Sequence, residues 1–220
     1  MPGQYARDQP QGFSNYIQKV AIVGPFRLTR SVPQAGGLIG RHLTEHLVKA
    51  GKHDVTAISR PNSIKQLPDV VRVVRVDYSG DDTSALVEAL RGQHALIITM
   101  AVSAPRDTMT KLTHAATEAG VPYILPNWFG HDAANDPLCQ DSLLTEMRDT
   151  VRSEIQHLGV SAPLFLVCNF WYEFSLGGGP DCFGFDFPTR SLTLFDKGTI
   201  AINTTTWPQC GRAALQRGQG

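Results

Sequence analysis

Two pieces of one glycine-rich turn lie ten residues apart, and this interrupted turn constrains the fold more than any other feature. Lys19-Val20-Ala21-Ile22-Val23 is a short, mostly apolar run that ends on Gly24. Gly36-Gly37-Leu38-Ile39-Gly40 then leads into Arg41-His42-Leu43-Thr44-Glu45-His46-Leu47-Val48, where apolar residues recur at helical spacing. Joining Gly24 to Ala35 spells Gly-Ala-Gly-Gly-Leu-Ile-Gly, a G-x-x-G-x-x-G turn between a strand and a helix. Residues 25–34 carry two prolines and two arginines and fit neither element. Either they loop outward and leave the glycines in register, or they spoil the phosphate site; two prolines and two arginines favour the outward loop.

The steric logic of such a turn points to a ligand. The first glycine permits a tight turn at the strand end, the second lets backbone approach a pyrophosphate, and the third lets helix and strand pack closely. The diphosphate then rests on backbone N–H groups that have no acceptor within the helix. Gly24, Gly37, Leu38, Ile39 and Gly40 are therefore the candidate phosphate contacts.

The rest of the chain supplies the context that this motif needs. Strand-like runs fall at 20–23, 54–59, 70–76, 95–99, 123–125 and 164–167. Helical patterns fall between them, at 38–50, 82–91, 106–119 and 142–158, with glycines at 51, 92, 120 and 159 as stops. Short strands that are apolar throughout predict a parallel sheet covered on both faces, an α/β, Rossmann-type doubly wound fold. The expected organisation is a flexible lead-in over 1–18, a dinucleotide-binding domain over 19–169 and a partial, smaller C-terminal substrate domain over 170–220. After residue 170 the chain becomes aromatic, with the breaker Gly177-Gly178-Gly179-Pro180, a strand-like run at 191–195 and a frayed end.

The second strand indicates which dinucleotide. An NAD site places an acid on the ribose about 20 residues beyond the turn. Here the strand ends Ile58-Ser59-Arg60-Pro61-Asn62-Ser63-Ile64-Lys65, with no acid at its tip. Arg60 can fork onto a 2′-phosphate, Ser63 can donate a hydrogen bond and Lys65 adds charge. The expected cofactor is NADP(H). Thr99-Met100-Ala101-Val102 follows the fourth strand and is expected to pass beside it.

Composition excludes several classes. Twenty Lys and Arg balance twenty Asp and Glu, and no basic run is present, which argues against nucleic acid as the direct partner. No stretch approaches the roughly 20 apolar residues that span a bilayer. The polar N-terminus lacks the apolar core of a signal peptide. The four cysteines have no C-x-x-C spacing, which predicts reduced thiols, no metal site and a cytoplasmic setting.

Several segments together resemble a known family. They are the reassembled turn, Ile58-Ser59-Arg60-Pro61-Asn62-Ser63, Leu125-Pro126-Asn127-Trp128-Phe129-Gly130 and Phe170-Trp171-Tyr172-Glu173-Phe174-Ser175-Leu176. Phe183-Gly184-Phe185-Asp186 and Ile202-Asn203-Thr204-Thr205-Thr206-Trp207-Pro208-Gln209-Cys210-Gly211-Arg212 complete the set. In this order they resemble the fungal NmrA-like, isoflavone-reductase-like proteins of the atypical short-chain dehydrogenase group, over about residues 19–214 apart from the insertion. The resemblance implies a Rossmann domain with a small substrate domain, and NADPH-dependent reduction of an aromatic or other secondary metabolite. It implies that Asn127 lines the cofactor cleft and that the chain stops short of the family's full substrate domain. It also places Arg148 where the reductases carry a general acid/base lysine. Arginine stays protonated and cannot be tuned for that task, although it can polarise a carbonyl or hold an anion.

His131, just after the fifth strand, is a second candidate, because an imidazole titrates near neutrality. Tyr123 lacks the lysine four residues on that a short-chain dehydrogenase tyrosine needs, since position 127 is Asn. Tyr172 and Glu173 are candidates for a substrate pocket, while Phe170, Trp171 and Phe174 beside them read equally well as inter-domain core. Three readings stay open at this point. The first is a reductase, the second a non-catalytic NADP(H) sensor with a protein partner, and the third an inactive, truncated product. The insertion at 25–34 predicts a fold that survives with weakened cofactor affinity.

Overall fold

The computed structural model describes residues 17–24, 35–62, 67–101 and 104–214. The lead-in over 1–16, the loop at 25–34, Ser63, Lys65, Val102 and the end over 215–220 lie outside the described residues.

Strand β1 (Lys19–Val23) shows why the central strands are apolar on both faces. Ala21 and Val23 join one core, while Val20 and Ile22 join another on the opposite face. Five more parallel strands complete the sheet: β2 (Asp54–Ser59), β3 (Arg72–Arg75), β4 (Ala95–Ile98), β5 (Tyr123–Leu125) and β6 (Ala162–Pro163). Their order is β3-β2-β1-β4-β5-β6, the Rossmann arrangement expected from the sequence. Arg72 and Arg75 stand exposed on edge strand β3, where charge discourages edge-to-edge pairing.

Helices α2 (Ser84–Leu90), α3 (Arg106–Glu118) and α5 (Thr145–His157) cover one face. They bury Leu86, Leu90, Leu112, Ala115, Ala116 and Ile155 against Leu96, Ile98 and Ile124. Helix α1 (Ala35–Lys49) covers the other face with Ile39, Leu43 and Leu47, one residue per turn. Each such side chain contributes about 1.5–3 kcal/mol by leaving water. Among the described residues no helix is long and apolar enough to cross a membrane. The four cysteines are free thiols.

Several boundaries differ from expectation, each for a local reason. The helix expected over 142–158 forms as α5, and a short helix that was not expected, α4 (Asp136–Asp141), precedes it, set apart at Leu143, whose φ of 58° cannot continue a helix. Asn135 caps α4 by accepting from Leu138 N at 3.1 Å. The sixth strand sits earlier than 164–167. Leu164 N still donates to Ile124 O, but the chain then leaves the sheet, and Cys168 and Asn169 both donate to Gly130 O. The third strand is trimmed to 72–75, with Val70 exposed beyond its end. Helix α1 starts three residues earlier than expected, so Gly36 and Gly37 belong to its first turn.

After β6 the chain forms β7 (Phe170–Trp171), α6 (Tyr172–Leu176), α7 (Pro180–Phe183), β8 (Phe185–Asp186), β9 (Ser191–Leu192), β10 (Thr204–Thr205) and α8 (Trp207–Ala213). The strand expected over 191–195 is thus only two residues long. Strand β7 pairs with β10, and β8 with β9, in two small sheets. Helix α8 returns to the main core. Cys210 is buried with Leu43 and Leu47, and Gly211 lies so close to α1 that a Cβ there would fall 2.5 Å from His46 Nδ1. Thr206 and Gln209 cap the start of α8 reciprocally. Both carboxylate oxygens of Glu173 accept from Trp207 N, at 3.3 and 3.1 Å.

Candidate functional site: the dinucleotide crevice

The strand order reverses between β1 and β4, and an open α/β sheet binds its ligand beyond the strand ends at that point. Gly24 follows β1 there, and the first turn of α1 begins the opposite wall. By helix geometry, the first N–H groups of α1 have no acceptor within the helix and a partial positive charge gathers on them. Gly37 is in that turn. Leu38 is half-buried, and Ile39 is fully buried in the core and presents no side chain to a ligand.

Gly24 and Gly40 are dictated by Thr99. A Cβ on Gly40 would fall 2.5 Å from Thr99 Oγ1, and one on Gly24 would collide with both Thr99 O and Oγ1. Thr99 is fully buried, and its hydroxyl donates to Val23 O at 3.0 Å. The side chain of Thr99, expected beside the cofactor, is committed to the main chain of β1. The hydroxyl faces inward and fixes the ends of β1 and β4, which only glycines can approach this closely.

At the tip of β2, Ser59 is buried and its hydroxyl has no hydrogen-bond partner. Arg60 follows it, exposed. The next turn is held by Arg75, which donates to Pro61 O at 2.8 Å. Asp77, at the end of the adjoining strand, accepts from Ser79 Oγ and N, which with nearby Arg60 holds its carboxyl below the usual range. Burial pushes the Tyr78 phenol up. Ser59 was missed in the sequence, where its only signal is a polar residue ending an apolar strand. Ser63 and Lys65 lie outside the described residues.

Asn127 follows β5 and does not end in open space. Its Oδ1 accepts from Met100 N at 3.0 Å and its Nδ2 donates to Met100 O at 3.1 Å. His131 lies a few residues on. The edge of Trp128 packs on its ring, Trp128 Nε1 donates to its carbonyl at 2.8 Å, and its Nε2 lies 3.4 Å from Ser142 Oγ.

Arg148 is buried and engaged on two sides. Its NH1 donates to Asp136 Oδ1 at 2.6 Å and to Ala133 O at 3.2 Å, while Nε donates to Asp149 Oδ1 at 2.8 Å. Asp149 and Asp136 hold its guanidinium well above the ordinary arginine range. The guanidinium ties α5 to the loop that precedes α4. Among the described residues no group of three or more His, Cys, Asp or Glu side chains is placed to hold a metal.

The residues present fit a dinucleotide. A glycine-lined strand end meets a helix N-terminus at the reversal point, beside a buried, unpartnered hydroxyl and an exposed cation. The fold and crevice define a Rossmann-type nucleotide-binding protein. A family model described as NAD(P)H-binding matches residues 35–145, half of the chain, and the chain belongs to that family.

An oxidoreductase, AprR of Aspergillus flavus, is 28% identical over 201 residues, covering 89% of this chain and 62% of that one. The crystal structure of an isoflavone reductase superposes with a TM-score of 0.67 at 20% identity, over 92% of this chain and 66% of that one. The structure of AtPrR2 with NADP+ and (+)-pinoresinol superposes with a TM-score of 0.66 at 16% identity, over 94% and 67%. The isoflavone-reductase-like resemblance drawn from the sequence thus holds in the fold. The chain spans about two thirds of the length of these relatives.

Proposed function

We propose that this chain binds NADP(H) and serves an NADPH-dependent oxidoreductase acting on an aromatic secondary metabolite. The observation that carries the reading is the tip of β2. Arg60 stands exposed where an NAD site needs an acid, next to the unpartnered hydroxyl of Ser59. The first turn of α1, with Gly37, would hold the diphosphate through main-chain N–H groups, and Gly40, one turn on, would let the helix stand this close to the strand ends. Arg60 and the Ser59 hydroxyl would hold the phosphorylated ribose, with Ser63 and Lys65 as further candidates. When bound, NADPH supplies a hydride to an electrophilic carbon of the substrate.

The substrate class rests on relatives. AtPrR2 is seen with pinoresinol, an aromatic compound, and AprR is an oxidoreductase. His131 is the side chain of this chain best suited to carry a proton to the substrate, held by Trp128 and Ser142 at the β5 end. Four free thiols suit a cytoplasmic setting.

A second reading has its own support. Arg148 stands at the position of the reductases' lysine and is committed to Asp136, Asp149 and Ala133 O. A chain that binds NADP(H) without turnover, as a sensor for a protein partner, accommodates that substitution. Fluorescence titration with NADPH and NADH tests the shared part. Saturable binding with preference for NADPH is expected, and absence of saturable binding overturns both readings. An NADPH-oxidation screen over quinones, flavonoids and aldehydes then separates them, since binding without turnover leaves the sensor.

A further inference from the structure

We propose that Asn127 is a positioning residue for the nicotinamide half of NADP(H), acting through the main chain of Met100 rather than by touching the cofactor. The proposal rests on the NADP(H) reading above. Its starting point is the way β4 and β5 part. Their last paired residues are Ile97 and Leu125. Pro126 comes next, without an N–H to continue the ladder, and Trp128 N closes a tight turn onto Pro126 O at 2.6 Å. Strand β5 therefore turns away while the chain after β4 runs on through Thr99, Met100 and Ala101.

The carboxamide of Asn127 bridges this divergence. It accepts from Met100 N and donates to Met100 O, the two bonds that a neighbouring peptide group would make. Three consecutive residues after β4 are thereby fixed. Thr99 is held by its hydroxyl on Val23 O, Met100 by Asn127, and the Ala101 carbonyl accepts from Ala104 N at 2.9 Å.

The location gives this bridge a consequence for the ligand. In a doubly wound sheet the dinucleotide lies across the reversal point, with its adenosine half over the β2 side. The other half then lies over the ends of β4 and β5, beside Met100 and Ala101. An unclipped segment there would have to be ordered when the nicotinamide binds, and that ordering lowers affinity for this half alone.

The test compares two probes on the full chain, NADPH and 2′-phospho-ADP-ribose, which lacks the nicotinamide. Asn127→Ala is expected to raise the Kd for NADPH roughly tenfold and leave that for the fragment within about twofold. Asn127→Asp keeps an acceptor for Met100 N but sets an acceptor against Met100 O, and an intermediate loss is expected. It carries the comparison should the alanine variant not fold. A second readout needs no cofactor: hydrogen exchange at the Met100 amide of the free protein accelerates in Asn127→Ala. Unchanged NADPH affinity in a folded variant, or equal losses for both probes, overturns the positioning role. Wild-type chain that binds neither probe overturns the NADP(H) reading instead, while the amide exchange still reports on the bridge.

Discussion

Thr99 Oγ1 occupies the space that a Cβ on Gly40 would need, with 2.5 Å between the two positions. The third glycine of the turn is thus required by a side chain 59 positions away, on the strand that flanks the reversal point. The same hydroxyl excludes a side chain at Gly24 and bonds to Val23 O. One threonine therefore sets how closely α1 can approach the strand ends, and with it where the helix N-terminus stands.

Gly40→Ala is expected to destabilise the protein by about 1–3 kcal/mol, the usual cost of overpacking a tight core. Thr99→Ala loses one buried hydrogen bond, about 1 kcal/mol. The two should not add. Removing Oγ1 leaves only Thr99 Cβ, 3.3 Å from the new methyl, so the double variant should be more stable than the sum of the single losses. Urea midpoints of the four proteins measure this, and strict additivity would refute the contact.

Arg60→Ala separates the phosphate from the rest of the cofactor. NADPH affinity should fall about 10–100-fold, the loss of charge-assisted hydrogen bonds, while NADH affinity stays within about twofold. The loss should shrink in high salt, because Arg60 is exposed. Equal losses for the two cofactors would remove Arg60 from the 2′-phosphate.

Arg148 is expected to act on stability and not on the cofactor. Arg148→Ala strips the partner from Asp136, Asp149 and Ala133 O, and the urea midpoint should fall. Arg148→Lys keeps a charge but cannot repeat the two-sided grip of the guanidinium, so it too should lose stability. NADPH affinity should change by less than about twofold in either variant, since the side chain ties α5 to the loop before α4. A large loss of NADPH affinity at unchanged stability would place Arg148 at the ligand.

The sheet was legible because its signals are local. Apolar runs of three to six residues, glycine stops and a helix with core residues at 39, 43 and 47 locate most elements to within a few positions. The short helix α4 was not, because six residues are too few to show a helical period, and Leu143 in a left-handed conformation, which sets α4 apart from α5, leaves no trace in a pattern of polar and apolar residues. The direction of the polar side chains at the sheet edge was not legible either. Thr99 and Asn127 both lie at the predicted edge, yet both point at main chain, at Val23 O and at Met100. Whether a polar side chain faces ligand or backbone depends on the strand beside it, and that neighbour is remote in sequence. The docking of α8 on α1 was missed for the same reason, as it joins residues 42–47 to residues 207–211.

That docking makes stability depend on pH. His42 on α1 stacks on Trp207, with ring centroids 6.0 Å apart. Burial lowers its pKa from the ordinary 6.5. Glu45 and Glu173 pull the other way, while Arg41 and His46 add to the lowering. The unfolded chain then binds a proton in a range where the folded chain does not. Stability contributed by neutral His42 is full above 6.5 and is lost as pH falls from there through the lower folded value. His42→Phe keeps a ring against Trp207 and removes the titration. Its urea midpoint should fall less than that of the wild type between about pH 7 and pH 5. Parallel pH profiles for the two proteins would show that the α1–α8 contact does not sense this proton.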